Sequence, residues 1–173
     1  LTSPRTIRNI QEQFGFTFKK GLGQNFLTAR NILEEIVDAA EIESGVIEVG
    51  PGFGVLTSEL AQNSDKVVTI EIDERLIDVL DYTLAEYDNV KIINEDILKL
   101  DLKKVIDDEF NGEKVSIAAN LPYYITTPII TKLLEEKLPI KNIVVMVQKE
   151  VAERMSAKPS TKDYGAITVL CQY

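Results

Sequence analysis

The sequence contains no histidine and only one cysteine, Cys171. Without histidine, the chain lacks the side chain that most often serves as a general base or a metal ligand near neutral pH, and it can form no Ser–His or Cys–His pair. A single cysteine cannot form an internal disulfide, which is typical of a protein from a reducing compartment. Any catalysis must therefore depend on carboxylates, amides, tyrosine, lysine or a bound cofactor.

Long apolar runs are also absent. No segment approaches the roughly 18 uncharged apolar residues that a membrane-spanning helix requires, and residues 1–14 contain no apolar signal-peptide core. The 173 residues are 45% apolar and 27% charged, a balance typical of one soluble globular domain with its own core. We therefore expect a cytoplasmic protein that has no membrane partner.

Positive charge is in deficit, since the chain carries a net charge of −9, which at first argues against nucleic acid as a partner. The acidic residues are concentrated in residues 31–113, with a net charge of −16, whereas residues 1–30 and 114–173 have net charges of +4 and +3. A fold that brings both ends to one rim would place a basic rim on an acidic body. Scattered, solvated charge explains the same numbers, so charge alone leaves both interpretations open.

Apolar periodicity predicts alternating strands and helices along the chain. Predicted strands cover residues 46–49, 66–72, 90–93, 115–119 and 142–147. Predicted helices cover residues 4–14, 29–40, 55–62, 74–87, 128–137, a stretch from about 149 and a last stretch from about 164, and residues 15–27 are predicted to be a loop. This alternation is typical of βαβ units, so we predict an α/β fold with a doubly wound, mostly parallel sheet. Ligands of such sheets bind beyond the carboxyl ends of the strands.

Three further predictions concern a helix cap, the buried face of a helix and the burial of a strand. Thr127 is predicted to cap a helix that has Pro128 at its first position. The helix over residues 74–87 is predicted to turn four apolar side chains inward, namely Leu76, Ile77, Leu80 and Leu84. The near-continuous apolar run over residues 142–147 is typical of a strand that is buried on both faces.

A glycine-rich turn follows the first predicted strand, in the run Glu48-Val49-Gly50-Pro51-Gly52-Phe53-Gly54. Gly50 would allow the tight turn, Gly52 would let the backbone approach a ligand, and Gly54 would let the next helix pack closely. The G-x-G-x-G spacing differs from the G-x-G-x-x-G of dinucleotide sites. Glu48 would repel a pyrophosphate and attract a cationic ligand, although such a turn also occurs without any binding role.

Carboxylates follow the second and third predicted strands. Glu71 lies 21 residues after Gly50, the distance at which a carboxylate can accept hydrogen bonds from ribose hydroxyls. As a pair, the glycine turn and Glu71 indicate a nucleoside-containing cofactor. The third strand ends in the run Asn-Glu-Asp-Ile over residues 94–97, where a carboxylate could accept from an adenine amino group and Ile97 could pack on the ring. A solvated acidic turn explains this last run almost as well.

The run Asn120-Leu121-Pro122-Tyr123-Tyr124 follows the fourth predicted strand. The side-chain oxygen of Asn120 and the carbonyl of Leu121 can both accept hydrogen bonds from one NH₂ group, which would aim the nitrogen lone pair at an electrophile. Pro122 restricts the backbone, and Tyr123 offers a flat face on which a base can stack, worth about 1–3 kcal/mol. A plain strand-to-helix turn is the alternative interpretation.

Taken in order, residues 48–54, Glu71, residues 95–96 and residues 120–123 resemble the motifs of the small-subunit ribosomal RNA adenine dimethyltransferases (KsgA type). Residues 18–27 resemble the N-terminal signature of that family, and residues 148–154 and 164–165 resemble its later motifs, so the likeness covers nearly the whole chain. Related enzymes that methylate large-subunit RNA usually have Gln-His-Phe where this chain has Gln-Asn-Phe, and they favour isoleucine at position 121. Both differences favour the small-subunit branch.

The resemblance implies S-adenosylmethionine as the cofactor, S-adenosylhomocysteine as its product, and a role for each matching position. The implied cofactor-binding residues are Gln24, Asn25, Leu27, Glu48, Gly50, Gly52, Glu71, Ile72, Asp96, Ile97 and Asn120. The implied catalytic residues are Asn120 and Leu121, which would bind the target amine, and Tyr123, which would stack on the target base. The candidates for phosphate contacts are Lys19, Lys20, Lys149 and Arg154.

The implied molecule is a monomeric, cytoplasmic rRNA (adenine-N6,N6-)dimethyltransferase that modifies adenines of 16S RNA in immature 30S-type subunits during ribosome biogenesis. Residues 1–173 would form one Rossmann-like class I methyltransferase domain, with an N-terminal helical extension over about residues 1–28. Family members continue with a β-hairpin that completes a seven-stranded sheet and with a small, basic helical domain. The chain is expected to lack both and to be a catalytic fragment, which would also explain its acidic balance.

Three other functions compete with this hypothesis. The chain could methylate adenine in large-subunit RNA, as the macrolide-resistance enzymes do, or it could be an assembly factor that binds RNA without chemistry. The intact amine acceptors of residues 120–123 argue against a pure binding module. A nicotinamide-dependent oxidoreductase is disfavoured by the glycine spacing and by Glu48.

Overall fold

The computed structural model describes residues 1, 3–15 and 29–172 and, of Pro4 and Tyr123, the backbone alone. Within those residues the helices are α1 (Pro4–Gln13), α2 (Arg30–Ala40), α3 (Val55–Gln62), α4 (Ile77–Thr83), α5 (Leu102–Phe110), α6 (Thr126–Glu135), α7 (Lys149–Met155) and α8 (Ala166–Gln172). The strands are β1 (Gly45–Val49), β2 (Lys66–Glu71), β3 (Val90–Asn94), β4 (Val115–Asn120) and β5 (Ile140–Met146).

The five strands form one sheet in the order β3-β2-β1-β4-β5, and all four pairings are parallel. The chain moves from β1 outward in one direction through β2 and β3, and then returns to the other side of β1 as β4 and β5. The predicted doubly wound α/β fold is thereby confirmed. Because the winding direction reverses beside β1, a crevice is expected at the carboxyl ends of β1 and β4.

Helices cover both faces of the sheet, because alternate side chains of each buried strand point to opposite faces. On one face, Ile47 and Ile117 of the central strands pack in a cluster that includes side chains of α5 and α6. On the other face, Val46 and Ala118 pack with side chains of α2 and α3. A third cluster joins Ile7 and Ile10 of α1 to α4 and to the glycine-rich turn.

Several predicted boundaries are confirmed. The predicted helix over residues 55–62 is α3, and the predicted N-terminal helix is α1, with Ser3 as its N-cap and a hydrogen bond of 3.3 Å from Arg5 N to Ser3 Oγ. The helix predicted from Ala29 is α2, which buries Leu33, Ile36 and Ala40. Serine at an N-cap satisfies an amide that the first helical turn leaves unpaired, which is why such signals can be read locally.

The predicted helix over residues 74–87 is shorter than expected. A 3₁₀ turn over Glu74–Leu76 comes first, capped by Asp73, whose Oδ1 accepts a hydrogen bond from Arg75 N at 3.2 Å, and α4 then ends at Thr83. A 3₁₀ turn has fewer residues per turn than an α-helix, so it rotates the face that points inward. Val79 is fully buried as a result, and Ile77, predicted to face the core, is only partly buried.

The predicted cap of the helix after the fourth strand is wrong. A 3₁₀ turn over Tyr123–Ile125 leads into α6, which begins at Thr126, so Pro128 is the third residue of the helix and Thr127 does not cap it. Thr126 Oγ1 donates a hydrogen bond of 3.0 Å to Pro122 O. Proline is tolerated at the third position because the first four amides of a helix have no intrahelical acceptor.

Two further elements differ from the prediction. The strand predicted to be buried on both faces, β5, is only partly buried at all seven positions, because among the described residues it pairs with β4 on one side only. Helix α5 was not predicted. Its sequence is rich in charge, yet it buries Leu102, Val105, Ile106 and Phe110 on one face, and Asp101 caps it.

Across residues 1, 3–15 and 29–172, no helix combines the length and the apolar character that crossing a lipid bilayer would require.

The glycine-rich turn offers a matched pair of stability variants. Gly54 has a φ of +79°, and a Cβ there would lie 3.0 Å from Leu84 Cδ2, whereas Gly50 has a φ of +72° and open space around the same position. Gly54→Ala is expected to lower the free energy of unfolding by about 2–4 kcal/mol through backbone strain and overpacking. Gly50→Ala carries the strain alone, about 1–2 kcal/mol. Urea unfolding measures both, and equal losses would contradict the packing role of Gly54.

Candidate active site

A cavity of about 270 Å³ lies at the carboxyl ends of the central strands. Its lining comes from the ends of β1, β2, β3 and β4 and from the turns that follow them, and it includes the first residues of α3. The predicted positions Glu48, Gly50, Gly52, Glu71, Ile72, Asp96, Ile97, Asn120 and Leu121 all line this one cavity. Residues that are up to 73 positions apart in the sequence therefore meet where the winding direction of the sheet reverses.

The glycine-rich turn forms the floor of the cavity at the end of β1. Gly50 N donates a hydrogen bond of 3.0 Å to Ile70 O, which continues the pairing of β1 with β2, and Gly54 N donates one of 3.0 Å to Pro51 O. At Gly50 the positive φ and the open space on the Cβ side leave the backbone uncovered by any side chain of its own. A ligand can therefore approach this backbone closely.

Glu48 is a buried carboxyl group, only 1% exposed, at the bottom of the cavity. Its register partner on β2 is Thr69, and Glu48 Oε2, Thr69 Oγ1 and Thr57 Oγ1 are buried with no hydrogen-bond partner among the described residues. Burial raises the pKa of Glu48 to about 8, the Glu71 carboxylate adds to the shift, and the two threonine hydroxyls oppose it. A carboxyl group in this setting is protonated at neutral pH until a cation approaches it.

Glu71 ends β2 and is 5% exposed. Asp73 N donates a hydrogen bond of 2.9 Å to Glu71 Oε1, and Asn94 Nδ2 donates one of 2.7 Å to Glu71 O, so both the side chain and the backbone are held in place. Burial raises the pKa of Glu71, while the backbone amides of Asp73 and Gly52 lower it. The side chain is thus an oriented acceptor beside the glycine turn.

Residues that follow β2 and β3 form one wall of the cavity. Ile72 is 63% exposed although it is large and apolar, and it lines the cavity. Asp96 Oδ1 accepts a hydrogen bond of 2.9 Å from Leu98 N, which orients the carboxylate within its own turn. Ile97 is buried and belongs to the core cluster that contains side chains of α5, so it connects this wall to the hydrophobic core.

The opposite wall follows β4. Asn120 is partly buried, and it is the last residue of β4, paired in register with Met146 of β5. Leu121 N donates a hydrogen bond of 3.1 Å to Met146 O, and Pro122 continues the chain in an extended conformation. The Tyr123 side chain lies outside the described residues. Tyr124, which the sequence reasoning did not select, lines the cavity and is 58% exposed.

The ionisable side chains in the described lining of the cavity are all acidic. The lining contains five carboxyl groups and no lysine or arginine, the acidic residues being Glu48, Glu71, Asp73, Glu95 and Asp96. Such a lining favours a ligand with positive charge and hydrogen-bond donors, and it disfavours phosphate groups. In the described part of the chain, no cluster of three or more histidine, cysteine or acidic residues could hold a metal ion.

The remaining predicted positions either lie outside the described residues or are not part of the described cavity lining. Gln24, Asn25 and Leu27, together with Lys19 and Lys20, lie outside the described residues. Lys149 and Arg154 are exposed on α7, and Lys149 Nζ lies 3.6 Å from Glu153 Oε1. The sequence does offer a signal for Tyr124, because it is the second of two adjacent tyrosines after β4. The sequence does not show that the Tyr124 side chain is exposed, since that exposure depends on the 3₁₀ turn.

A family model described as ribosomal RNA adenine dimethylase matches residues 15–173. The chain is 55% identical over its full length to ribosomal RNA small subunit methyltransferase A of Bacillus mycoides (strain KBAB4), and it spans 60% of the length of that protein.

Two solved structures are similar as well. A dimethyladenosine transferase from Plasmodium falciparum has a TM-score of 0.68 and 35% identity, covering 81% of this chain and 49% of that one. The 23S rRNA methyltransferase ErmE has a TM-score of 0.68 and 32% identity, covering 85% of this chain and 55% of that one.

Proposed function

Because the chain belongs to the ribosomal RNA adenine dimethylase family, we propose that it methylates the exocyclic amine of adenines in small-subunit ribosomal RNA, with S-adenosylmethionine as the methyl donor. The observation that carries this proposal is that the glycine turn, Glu71, Asp96 and Asn120 line one acidic cavity. A nucleoside cofactor and a target amine would therefore meet in the same space.

The cavity fits the proposed cofactor in its charge. Its five carboxyl groups suit a ligand that carries a sulfonium and an ammonium, and Glu48 Oε2 is a buried acceptor without a partner among the described residues. Glu71 would accept from the ribose hydroxyls, Asp96 would accept from the adenine amine, and Ile72 would pack on the ring. Gly50 and Gly52 would line the methionine and ribose region.

The residues of the chain would act by positioning. When bound, S-adenosylmethionine supplies an electrophilic methyl group that is activated by its sulfonium. Asn120 and the carbonyl of Leu121 would hold the target amine so that its lone pair points along the line of transfer, which removes most of the entropy cost of alignment. The absence of histidine is no obstacle, because the amine nitrogen becomes acidic as it acquires its new bond and needs no strong base.

The choice of small-subunit RNA rests on sequence similarity. Identity to the small-subunit methyltransferase is 55% over the whole chain, against 32% to the large-subunit methyltransferase ErmE over 85% of it. We also propose that the protein acts in the cytoplasm, as a monomer, on immature 30S-type subunits. The target adenine would have to leave its stack to reach the cavity.

Methyl transfer to isolated ribosomal subunits tests the proposal. The protein would be incubated with labelled S-adenosylmethionine and with immature small subunits or large-subunit RNA, and the digested nucleosides analysed by mass spectrometry. Dimethyladenosine in the small-subunit RNA alone is expected. Product in large-subunit RNA alone would move the chain to the macrolide-resistance branch, and cofactor binding without any product would identify a binding module.

Removal of the Glu71 carboxylate tests the cofactor assignment. Glu71→Ala is expected to weaken S-adenosylmethionine binding by about 5- to 150-fold, because the loss of an oriented buried acceptor costs about 1–3 kcal/mol. Calorimetry would compare this variant with Glu74→Ala, which changes an exposed carboxylate three positions away. An unchanged dissociation constant for Glu71→Ala, or binding of NAD as tight as that of S-adenosylmethionine, would contradict the assignment.

A further inference from the structure

Two large apolar side chains remain exposed beside the cavity. Six large hydrophobic side chains of the described residues are exposed, and of these only Ile72 and Tyr124 line the cavity. They extend from different strands, Ile72 from the end of β2 and Tyr124 from the turn after β4, with β1 between those strands in the sheet. Each wall of the cavity therefore carries its own uncovered apolar surface.

The backbone that carries Tyr124 is held firmly. Ile125 N and Thr126 Oγ1 both donate hydrogen bonds to Pro122 O, at 3.3 and 3.0 Å, and close the 3₁₀ turn around Tyr124. Thr126 is 1% exposed, and Ile129 and Ile130 anchor the following helix in the core. The exposed ring is thus attached to a fixed support, so little conformational entropy of the backbone is lost when something packs on it.

The position of Tyr124 separates it from the proposed cofactor. The acceptors assigned to the adenosyl group, Glu71 and Asp96, lie beyond β2 and β3, whereas Tyr124 follows the amine acceptors Asn120 and Leu121 on the side of β4. The ring therefore lies on the wall where the target base would enter. The surface exposed there is aromatic and carries no net charge, which suits the face of a nucleobase.

We propose that Tyr124 stacks on a nucleobase next to the target adenine and so selects an unstacked RNA strand as the substrate. The inference rests on the proposed function. When an adenine leaves its stack, the neighbouring base loses a stacking partner, and an aromatic side chain at the cavity mouth replaces that partner. Tyr124 is therefore a substrate-binding residue that acts beside the reacting base.

Two tyrosines of equal exposure allow a matched test. Tyr124 is 58% exposed and Tyr82 is 56% exposed, but Tyr82 lies away from the cavity lining and contacts Phe14. The variants are Tyr124→Ala, Tyr124→Phe and Tyr82→Ala, each assayed for kcat and KM with small subunits. Calorimetry with S-adenosylmethionine verifies that each variant is folded and that its cofactor site is intact.

Tyr124→Ala is expected to raise KM for the RNA substrate by about 5- to 150-fold, the factor that corresponds to one stacked base. The kcat value and the affinity for S-adenosylmethionine should stay within twofold, because the stack forms outside the reacting centre. Tyr124→Phe should restore the wild-type KM, since the ring face and not the hydroxyl makes the contact. Tyr82→Ala should match the wild type.

An unchanged KM in Tyr124→Ala would overturn the proposal, as would a phenylalanine variant as weak as the alanine variant. Weaker binding of S-adenosylmethionine to Tyr124→Ala would place the ring in the cofactor site and also overturn it. If the wild-type chain bound S-adenosylmethionine but transferred no methyl group, the proposed function would fail separately. Fluorescence anisotropy with a short single-stranded RNA would then decide whether Tyr124→Ala alone loses affinity.

Discussion

Asn120→Ala is expected to lower kcat for methyl transfer by about 10²–10³-fold, the usual cost of removing one preorganised hydrogen-bonding group at a reacting centre. Asn120 ends β4 and lines the cavity together with Gly50 and Glu71. In the proposed mechanism its amide oxygen holds the target amine, and alanine removes that acceptor while the strand and its pairing with β5 remain. Binding of S-adenosylmethionine should be retained, with a loss of affinity far smaller than the loss of kcat, although Asn120 is also an implied cofactor-binding residue.

Two variants make the Asn120 prediction specific. Asn120→Asp keeps an acceptor oxygen in the same place and should retain more activity than the alanine variant. Asn63→Ala removes an exposed amide at the end of α3, where Asn63 Nδ2 bonds Glu59 O at 2.8 Å, and should leave kcat unchanged. Single-turnover kinetics with saturating cofactor would measure all three. A wild-type kcat in Asn120→Ala would contradict the role of Asn120 in the proposed mechanism.

The second large effect is expected at Glu48, where Glu48→Gln should stabilise the fold at high pH. Burial raises the pKa of Glu48 to about 8 in the folded protein, against an ordinary value of 4.5. Between these values the folded chain holds a proton that the unfolded chain has released, so the stability of the wild type falls as the pH rises through this window. The loss approaches about 1.4 kcal/mol per pH unit. Glutamine carries no such proton.

Urea unfolding between pH 4.5 and 9 would measure this difference. The gain in stability of Glu48→Gln over the wild type should increase as the pH rises and should level off above about pH 8, at roughly 5 kcal/mol. Glu12→Gln, which changes an exposed carboxylate on α1, should follow the wild-type curve. Parallel curves for Glu48→Gln and the wild type would mean that Glu48 is ionised in the folded protein.

The same carboxyl group connects stability with ligand binding. A cationic ligand favours the ionised form of Glu48, so binding should release protons from the wild type near neutral pH and release fewer from Glu48→Gln. Calorimetry of S-adenosylmethionine in two buffers of different ionisation enthalpy would count them. In this interpretation the buried acid destabilises the ligand-free fold in return for a site that accepts positive charge.

Local signals in the sequence predicted many of the elements but missed those that depend on neighbours. Ser3 and the apolar spacing of α2 and α3 act within one or two turns, and their boundaries agree with the structure. Helix α5 was missed because its four buried residues are interspersed with lysine and aspartate. The start of α6 was misplaced because Thr126 is tied to the carbonyl of Pro122, a contact that the Thr127-Pro128 pair does not reveal.

The residues of the candidate site were largely predictable from the sequence, but the burial and exposure of their side chains were not. Each predicted position follows a strand, and parallel strands that share a sheet bring their carboxyl ends to one edge. Spacing cannot tell how deeply a side chain is buried once helices cover the sheet. The near-complete burial of Glu48 and the exposure of Tyr124 therefore emerged only from the packing of α3 and from the 3₁₀ turn before α6.

By itself, the sequence determined the alternation of strands and helices, the glycine turn, and the order in which Glu48, Glu71, Asp96 and Asn120 follow their strands. These properties depend on residue type and on neighbours within a few positions. Only the tertiary structure decided that β5 is half-buried, that five carboxyl groups share one cavity, and that Glu48 is almost fully buried. Burial and charge interactions are sums over atoms from distant parts of the chain, so they exist only after the sheet and its helices have assembled.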